Sequence, residues 1–528
     1  MPEAFDGILI GSGHNSLVCG AYMAKAGAKV AVLERSGVIG GGCSTREVTL
    51  PGFKHNLHSN YYVGLDRSPI LSDLELHNYG FAMMFPEQQQ GCVFRDGTAF
   101  VIHRDVEKTV KSIERLNKRD AKTYKELHIK FTGGMLDIIT SFMYCAPLPP
   151  DKMAERFSGP LGREFWAYND LSMYEAVDQH FEDERLRVLF KLFLGSFTLE
   201  NMPKTGLFFP RIFSRIANFS LPIGGSANFA RALERVIVRG GGKVFTGAQV
   251  KEITIRGGEA TGAVLADGTK IQAKKFVASG VNWPLTVELA GDSHFGKELS
   301  TAAKNFKWAA HALCTIHLAL KKAPEFKSAR FEPDINKTFN IFWGADTTEE
   351  IDQCFEDIHK NDLPRLMGNG CCDSLFDPTY APEGAHTAFW WPFAPYELNG
   401  EGAKGWDTHR EDLTQKFIKA WQAYAPNVRK GNILGSYLYT PYDIVRGNAN
   451  MPRASHHIGA YIPEQLGFNR PHPRVSQFRT PVKGLYLCGS SSHVGGAVTG
   501  APGYNCANAI ADDLKLKRFW KPVAPPRL

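Results

Sequence analysis

Long apolar runs are missing from this chain of 528 residues. No stretch reaches the ~18 uninterrupted apolar residues of a spanning helix, and the nearest candidates are broken by Asp137 and Lys191. The expectation is a chain that does not cross a bilayer by itself. The start, MPEAFDGILIGSG, lacks a basic region followed by an apolar one, so no secretory signal is expected and a cytoplasmic location is the default. Cysteine is sparse, 10 residues with neither C-x-x-C pairs nor Cys/His spacings suited to zinc, which points to reduced, mostly buried thiols and no metal. A strong charge of either sign is also lacking. With 61 Lys and Arg against 54 Asp and Glu, the formal +7 is too weak over this length to argue for nucleic acid.

What is present is ample material for a core: 43% hydrophobic residues, 22% charged, and a length that implies more than one domain. Aromatics reach 12%, a share that suits a large apolar pocket and a big core equally.

The N-terminus reads strand, glycine turn, helix, strand. Phe5 to Ile10 is a short apolar run. His14 to Lys25 places Leu17, Val18, Ala21 and Ala24 on one helical face, Gly27 suits the C-cap, and Lys29 to Glu34 is a second apolar run. Far downstream, a helix over Ala227 to Arg239 is followed by a strand at Lys243 to Phe245. VKEITI, ATGAVLADG and TKIQAKKFVAS then form an antiparallel meander separated by GGEA and DG turns. A third α/β piece closes the chain: a strand at Leu485 to Cys488, a Gly/Ser loop, and a helix from about Ala501 to Leu514.

The pattern predicts two interleaved domains, a nucleotide-binding one from residues 1–70, 221–285 and 476–516 and a second from 71–220 and 286–475, with a tail at 517–528. The tail mixes Lys517, Arg518 and Lys521 with Phe519 and Trp520, the composition of a peripheral membrane contact as well as of a solvated or docked end.

Three glycine loops carry the chemistry. Gly11-Ser-Gly13-His-Asn-Ser16 lies between strand and helix: Gly11 permits the tight turn, Gly13 lets backbone approach a pyrophosphate, and the helix N-terminus supplies free N–H groups. Glu34 stands where an acid accepts hydrogen bonds from an adenosine ribose. This motif does not choose between NAD and FAD. Gly40-Gly41-Gly42 forms a second loop. The third, Gly489 to Gly503, ends a strand and opens a helix whose positive end suits the negative charge around N1 and O2 of a reduced flavin.

The segments IGSGHNSL, VLERSGVIGGGCSTRE, PGFKHN, DPTYAPEGAHTAFWWPFAPYELNG, TPYDI and VKGLYLCGSSSHVGGAVTGAPGYN resemble the phytoene-desaturase-like branch of FAD-dependent oxidoreductases, which includes carotenoid desaturases, carotenoid isomerases and pyridine-nucleotide-disulfide-oxidoreductase-domain relatives. The resemblance covers nearly the whole chain. It implies an α/β protein with a Rossmann-type FAD-binding domain of the glutathione-reductase-2 type, interleaved with an antiparallel-sheet α+β substrate domain. Carried over by position, Gly11, Gly13 and Ser16 would meet the pyrophosphate, Glu34 and its neighbour Arg35 the adenosine end, and Gly40, Gly41 and Thr45 the next stretch of FAD. Val250 would contact the adenine through its backbone. Ser59, Gly489, Ser490, Gly495, Gly496 and Thr499 would line the ribityl chain and ring. The chain departs from the family in having Ser16 where glycine is usual, and Asn56, His58, Ser59 and Asn60 where an acid and small residues are common.

The reaction so implied is hydride removal from a carbon of a hydrophobic small molecule, isoprenoid-like or aromatic, to flavin N5. A redox-neutral polyene isomerase and a non-catalytic lipid carrier are the alternatives. Candidates near the ring are His58, Ser59, Asn60, Tyr396, Asp443, His456, His457 and His493. Of these, His58, His456 and His457 are the preferred proton carriers, because imidazole exchanges protons near neutral pH. Asn60, Trp390, Trp391 and Tyr396 are the expected substrate walls. With no second glycine fingerprint and no C-x-x-x-x-C pair, NADPH-fed disulfide chemistry is disfavoured, and the electron acceptor is left among oxygen, a quinone and a protein.

Overall fold

The computed structural model describes residues 4–197 and 200–524. Its first sheet has seven strands: β1 (Ala4–Ile10), β2 (Val30–Leu33), β3 (Lys243–Phe245), β4 (Val250–Arg256), β5 (Glu259–Leu265), β6 (Lys270–Ser279) and β7 (Leu485–Leu487), in the order β3-β2-β1-β6-β5-β4 with β7 also beside β6. VAVL of β2 is buried throughout, as a parallel strand covered on both faces requires. The ten residues of β6 do two jobs along one edge. Their first part pairs with antiparallel β5, and their last part, Val277 to Ser279, pairs with parallel β7. The final strand is thereby fixed within one strand of β1, which pairs with β6 on its other edge.

Three helices cover this sheet: α1 (His14–Lys25), α2 (Ala227–Arg239) and α3 (Ala501–Asp513). Small residues decide how near they come. A Cβ on Gly20 would lie 3.2 Å from Ile237 and 3.5 Å from Leu9. A Cβ on Gly280 would lie 1.6 Å from the Ser16 hydroxyl. That contact shows how a serine is accommodated at a position where glycine is usual: the missing side chain is across the gap. Gly503 is tighter against main chain, its Cβ position being 2.1 Å from the Asn15 carbonyl oxygen. Helix α3 therefore rests on the first turn of α1 only because residue 503 has no side chain. Gly503→Ala should destabilise the fold by about 1–3 kcal/mol through overpacking, read as a lower denaturant midpoint; an unchanged midpoint would refute this packing.

The second sheet has eight strands, from Gln88–Val93, Ala99–His103, His311–Leu313, Thr315–Leu320, Asn340–Trp343, Gly368–Cys371, His386–Pro395 and Ile433–Tyr439. Every pairing is antiparallel except that of Asn340–Trp343 with Gln88–Val93. The central strand, HTAFWWPFAP, is apolar on both faces, and alternation divides it. Trp390 stacks on Trp343 at 4.8 Å in one core. Phe389, Trp391 and Phe393 enter the other, where a Gly195 Cβ on the helix Glu184–Gly195 would stand 3.0 Å from Phe393.

The tail docks as far as it is described. Trp520 is buried, donates from Nε1 to Asn508 at 2.9 Å and meets Tyr22 edge-on, while Val523 N donates to the Tyr504 hydroxyl at 3.0 Å. Residues 525–528 of the expected tail lie outside the described residues. Among the described residues no helix is long and apolar enough to cross a membrane.

Candidate active site

A cavity of about 850 Å³ runs along the carboxyl ends of the parallel strands into the space beneath the second sheet. Ligands bind at this edge of open α/β sheets. One end is lined by Glu34, Arg35, Gln249, Val250 and Ala266, the middle by Gly11, Gly13, Ser16, Gly41 and Gly42, and the far end by His58, Ser59, Asn60, Tyr61, Trp391, His456 and His457. Gly489, Ser490 and Gly496 close one wall. The first and last glycine loops therefore border one space, and they are tied together: Asn15 Nδ2 donates to Ser490 Oγ at 3.0 Å, and His14 Nε2 lies 3.2 Å from the Ala497 carbonyl.

The middle of the cavity is built for an anion. Gly11 takes φ +82°, open to glycine at no steric cost. Helix α1 starts at Gly13 with no side chain capping it, so its first N–H groups and the positive end of its dipole face the cavity. Asn15 Oδ1 is buried without a partner on the same turn. A Cβ on Gly41 would lie 3.1 Å from Gly13 Cα, which keeps the two loops in contact. The Glu34 carboxylate is held in place, Oε2 accepting from Ser12 N at 2.8 Å and Ser12 Oγ at 2.7 Å, and Oε1 accepting from Ser36 N at 2.8 Å.

The far end is a mixture of aromatic wall and buried polar chain. Asn60 is fixed from both sides, its Oδ1 accepting from Asn56 at 2.9 Å and its Nδ2 donating to Asp373 at 2.8 Å. Burial pushes the Asp373 carboxyl up to about 7. The family's acid is absent from the segment after PGF, yet a carboxyl reaches the back of Asn60 from a turn more than three hundred residues away in sequence. Nothing in the local pattern around Asp373 announces this, and Asn15, Gln249 and the Asn448–Met451 stretch of the cavity wall are equally silent.

The expected proton carriers come together at the far end of the cavity. His58, His456 and His457 all line the cavity, but burial lowers them, His58 to about 4 with help from Arg46, His456 to about 3, and His457 well below the ordinary imidazole value. Near neutral pH they are neutral hydrogen-bonding groups rather than exchangers poised at their own pKa. His58 Nε2 lies 3.2 Å from the Tyr439 hydroxyl, and His457 Nδ1 lies 3.3 Å from that of Tyr461.

Several expected positions stand behind the wall. Gly40, with φ +111°, pins the second loop by donating to Ser12 O at 3.0 Å. The Thr45 hydroxyl turns to Asn56 at 2.7 Å and accepts from the first turn of α2. Gly495 makes room for Tyr461, whose hydroxyl would be 2.4 Å from a Cβ there. Thr499 accepts from Ala501 N at 3.3 Å at the start of its own helix, and its carbonyl accepts from Tyr144. Trp390 belongs to the opposite core, and Tyr396 lies under Arg453 at 5.2 Å. Asp443 is occupied by Arg410 and Arg446, and His493 by the Phe142 carbonyl. The adjacent tryptophans thus separate by role: Trp390→Phe should lower the melting temperature, and Trp391→Phe should leave it nearer that of the native protein while changing the response to substrate. Equal melting losses would contradict the assignment.

A glycine-lined cavity on a Rossmann-type sheet, continued by an antiparallel sheet, is the architecture of a nucleotide-binding protein. Residues 9–74 match the family described as NAD(P)-binding Rossmann-like domain. A limonene dehydrogenase component of Castellaniella defragrans is 30% identical, over 98% of this chain and 96% of that protein. Pyridine nucleotide-disulfide oxidoreductase domain-containing protein 2 of Rattus norvegicus is 28% identical, over 97% and 94%. Among solved structures, an oxidoreductase from Methanosarcina mazei superposes with a TM-score of 0.60 at 17% identity, covering 96% of this chain and 99% of that one, a likeness of fold. The chain belongs to the phytoene-desaturase-like family of FAD-dependent oxidoreductases, and it is an enzyme.

Proposed function

We propose that this chain holds one FAD along the cavity and dehydrogenates an apolar small molecule, isoprenoid-like or aromatic, at the far end. The observation that carries the reading is continuity: a fixed carboxylate, an uncapped helix N-terminus and an aromatic chamber border the same 850 Å³ space. That volume lies within the ~300–1,000 Å³ of ligand sites. Glu34 would hold the adenosine ribose, Gly11, Gly13 and Ser16 the pyrophosphate, and Gly489, Ser490 and Gly496 the ring end. The bound flavin supplies a hydride acceptor.

The chain's own residues do the rest. Trp391, Tyr61 and Phe197 exclude water and orient an apolar substrate, which is where much of such a rate arises. The proton leaving the neighbouring carbon would be held at His58, whose ring is neutral at pH 7 and whose orientation is set by the Tyr439 hydroxyl 3.2 Å from Nε2. The relative named for limonene makes a cyclic monoterpene the first substrate to try. Under anaerobic conditions limonene or a related hydrocarbon should bleach the flavin band and yield a product with two hydrogens fewer. A rearranged product with no bleaching would replace this reading with isomerisation.

A further inference from the structure

Arg470 is fully buried, and among the described residues no carboxylate pairs with it. Its charge is solvated by carbonyl oxygens instead: Ser490 at 3.0 Å, His457 at 3.1 Å, Ile458 at 2.8 Å, Ala460 at 3.2 Å and Gln465 at 3.1 Å, with the Tyr461 ring 4.9 Å away. Burial lowers it to about 10, so it remains cationic at neutral pH. Three of its acceptors, Ser490, His457 and Ile458, are cavity-lining residues. The charge is thus held directly behind the wall at the end where the proposed flavin ring would lie.

A second guanidinium reinforces it. Arg211 lies over the Phe208 ring at 4.6 Å, its Nε has no partner among the described residues, and it borders a narrow cleft with Tyr461, Gly496 and Ala497. Burial and His456 lower His457 most, and Arg470, His311 and Arg211 push it the same way. A buried charge without a counter-ion is costly, and here it is offset by carbonyl oxygens and the Tyr461 ring alone among the described residues.

We propose that Arg470, reinforced by Arg211, sets the reduction potential of the bound flavin, which rests on the FAD reading above. Reduction by hydride adds two electrons and one proton to the ring and leaves one negative charge on it. A fixed positive charge in a dry wall favours that reduced form over the neutral oxidised one. Arg470 acts as a positioning residue in this sense: it touches the loops that line the cavity and tunes what they hold.

The test is the midpoint potential of the flavin-loaded protein, measured by equilibration with redox dyes, for Arg470→Gln, Arg470→Lys and Arg211→Gln, with the melting temperature of each. Arg470→Gln should shift the equilibrium at least tenfold toward oxidised flavin, about 30 mV for two electrons. Arg470→Lys, which keeps the charge and loses donors, should lower the melting temperature while keeping the redox equilibrium within threefold of the native one. Arg211→Gln should shift the potential in the same direction, and it decides the matter if Arg470→Gln does not fold. A native potential in a folded, flavin-loaded Gln variant, or equal shifts in the Lys and Gln variants of Arg470, would overturn the proposal. A native protein purified without flavin would instead overturn the reading beneath it.

Discussion

Between pH 7 and pH 5 the protein should lose at least about 6 kcal/mol of folding stability. His55, His317, His457 and His493 are buried, and burial lowers each, His55 and His493 to about 3 and the other two well below the usual value; His58, His311 and His456 are lowered in the same direction and add to the loss set by these four. A lowered imidazole binds its proton in the unfolded chain first, so stability is present above the unfolded value of about 6.5 and drains as pH falls toward the folded one. Each such group withdraws about 1.4 kcal/mol per pH unit, or about 2 kcal/mol by pH 5. Asp373 works in the opposite direction, since a carboxyl raised to about 7 binds its proton first in the folded state and gains stability as pH falls. One of the four histidines is offset and three remain. That loss is comparable to the whole stability of many domains; for a chain of this length it corresponds to a melting midpoint lower by at least about 5 °C at pH 5 than at pH 7. His317, whose two ring nitrogens both lack partners among the described residues, identifies the cause: His317→Leu should flatten the acid limb by one group without lowering stability at pH 7. A midpoint indifferent to pH would contradict the burial of these rings.

Replacing Glu34 by Ala should weaken cofactor retention at least a hundredfold. The carboxylate is the fixed acceptor at one end of the cavity, and its removal also frees Ser12 N–H and Oγ and Ser36 N–H, which it now holds within 2.8 Å. Hydrogen bonds to a charged group contribute about 1.5–3 kcal/mol each, and the unpaired donors add to the loss. Gel filtration of Glu34→Ala should strip the flavin, while the native protein keeps it, and the variant apoprotein should melt below the native apoprotein because three donors lose their acceptor. A variant that retains flavin as the native chain does would remove Glu34 from the site.

Much of the first sheet was legible because its rules are local. Leu17, Val18, Ala21 and Ala24 repeat on one face, Gly27 and Gly240 follow their helices, and the expected α1 and α2 coincide with His14–Lys25 and Ala227–Arg239. The second sheet obeys no such local signal. GNGC is a buried strand because Trp343, Phe389 and Trp391 approach its glycines, not because its residues favour strands. In HTAFWWPFAP alternation predicts that the two tryptophans part, yet not which one meets the cavity, since both faces are apolar. Thr45, Gly495 and Thr499 belong to the right loops and turn the other way, a matter of one side chain's neighbours. The histidines show the same limit from another side: residue type suggested proton exchange, and only burial, which no short pattern reveals, sets their protonation.

The central claim is that the glycine loops at residues 11–16 and 489–496, joined through Asn15 and Ser490, grip one dinucleotide. Its most direct measurement is the flavin content of the purified protein, released by denaturation and compared with chain concentration. The account predicts one FAD per chain, yielding adenosine monophosphate on hydrolysis. A colourless protein that takes up no FAD when it is supplied would contradict it.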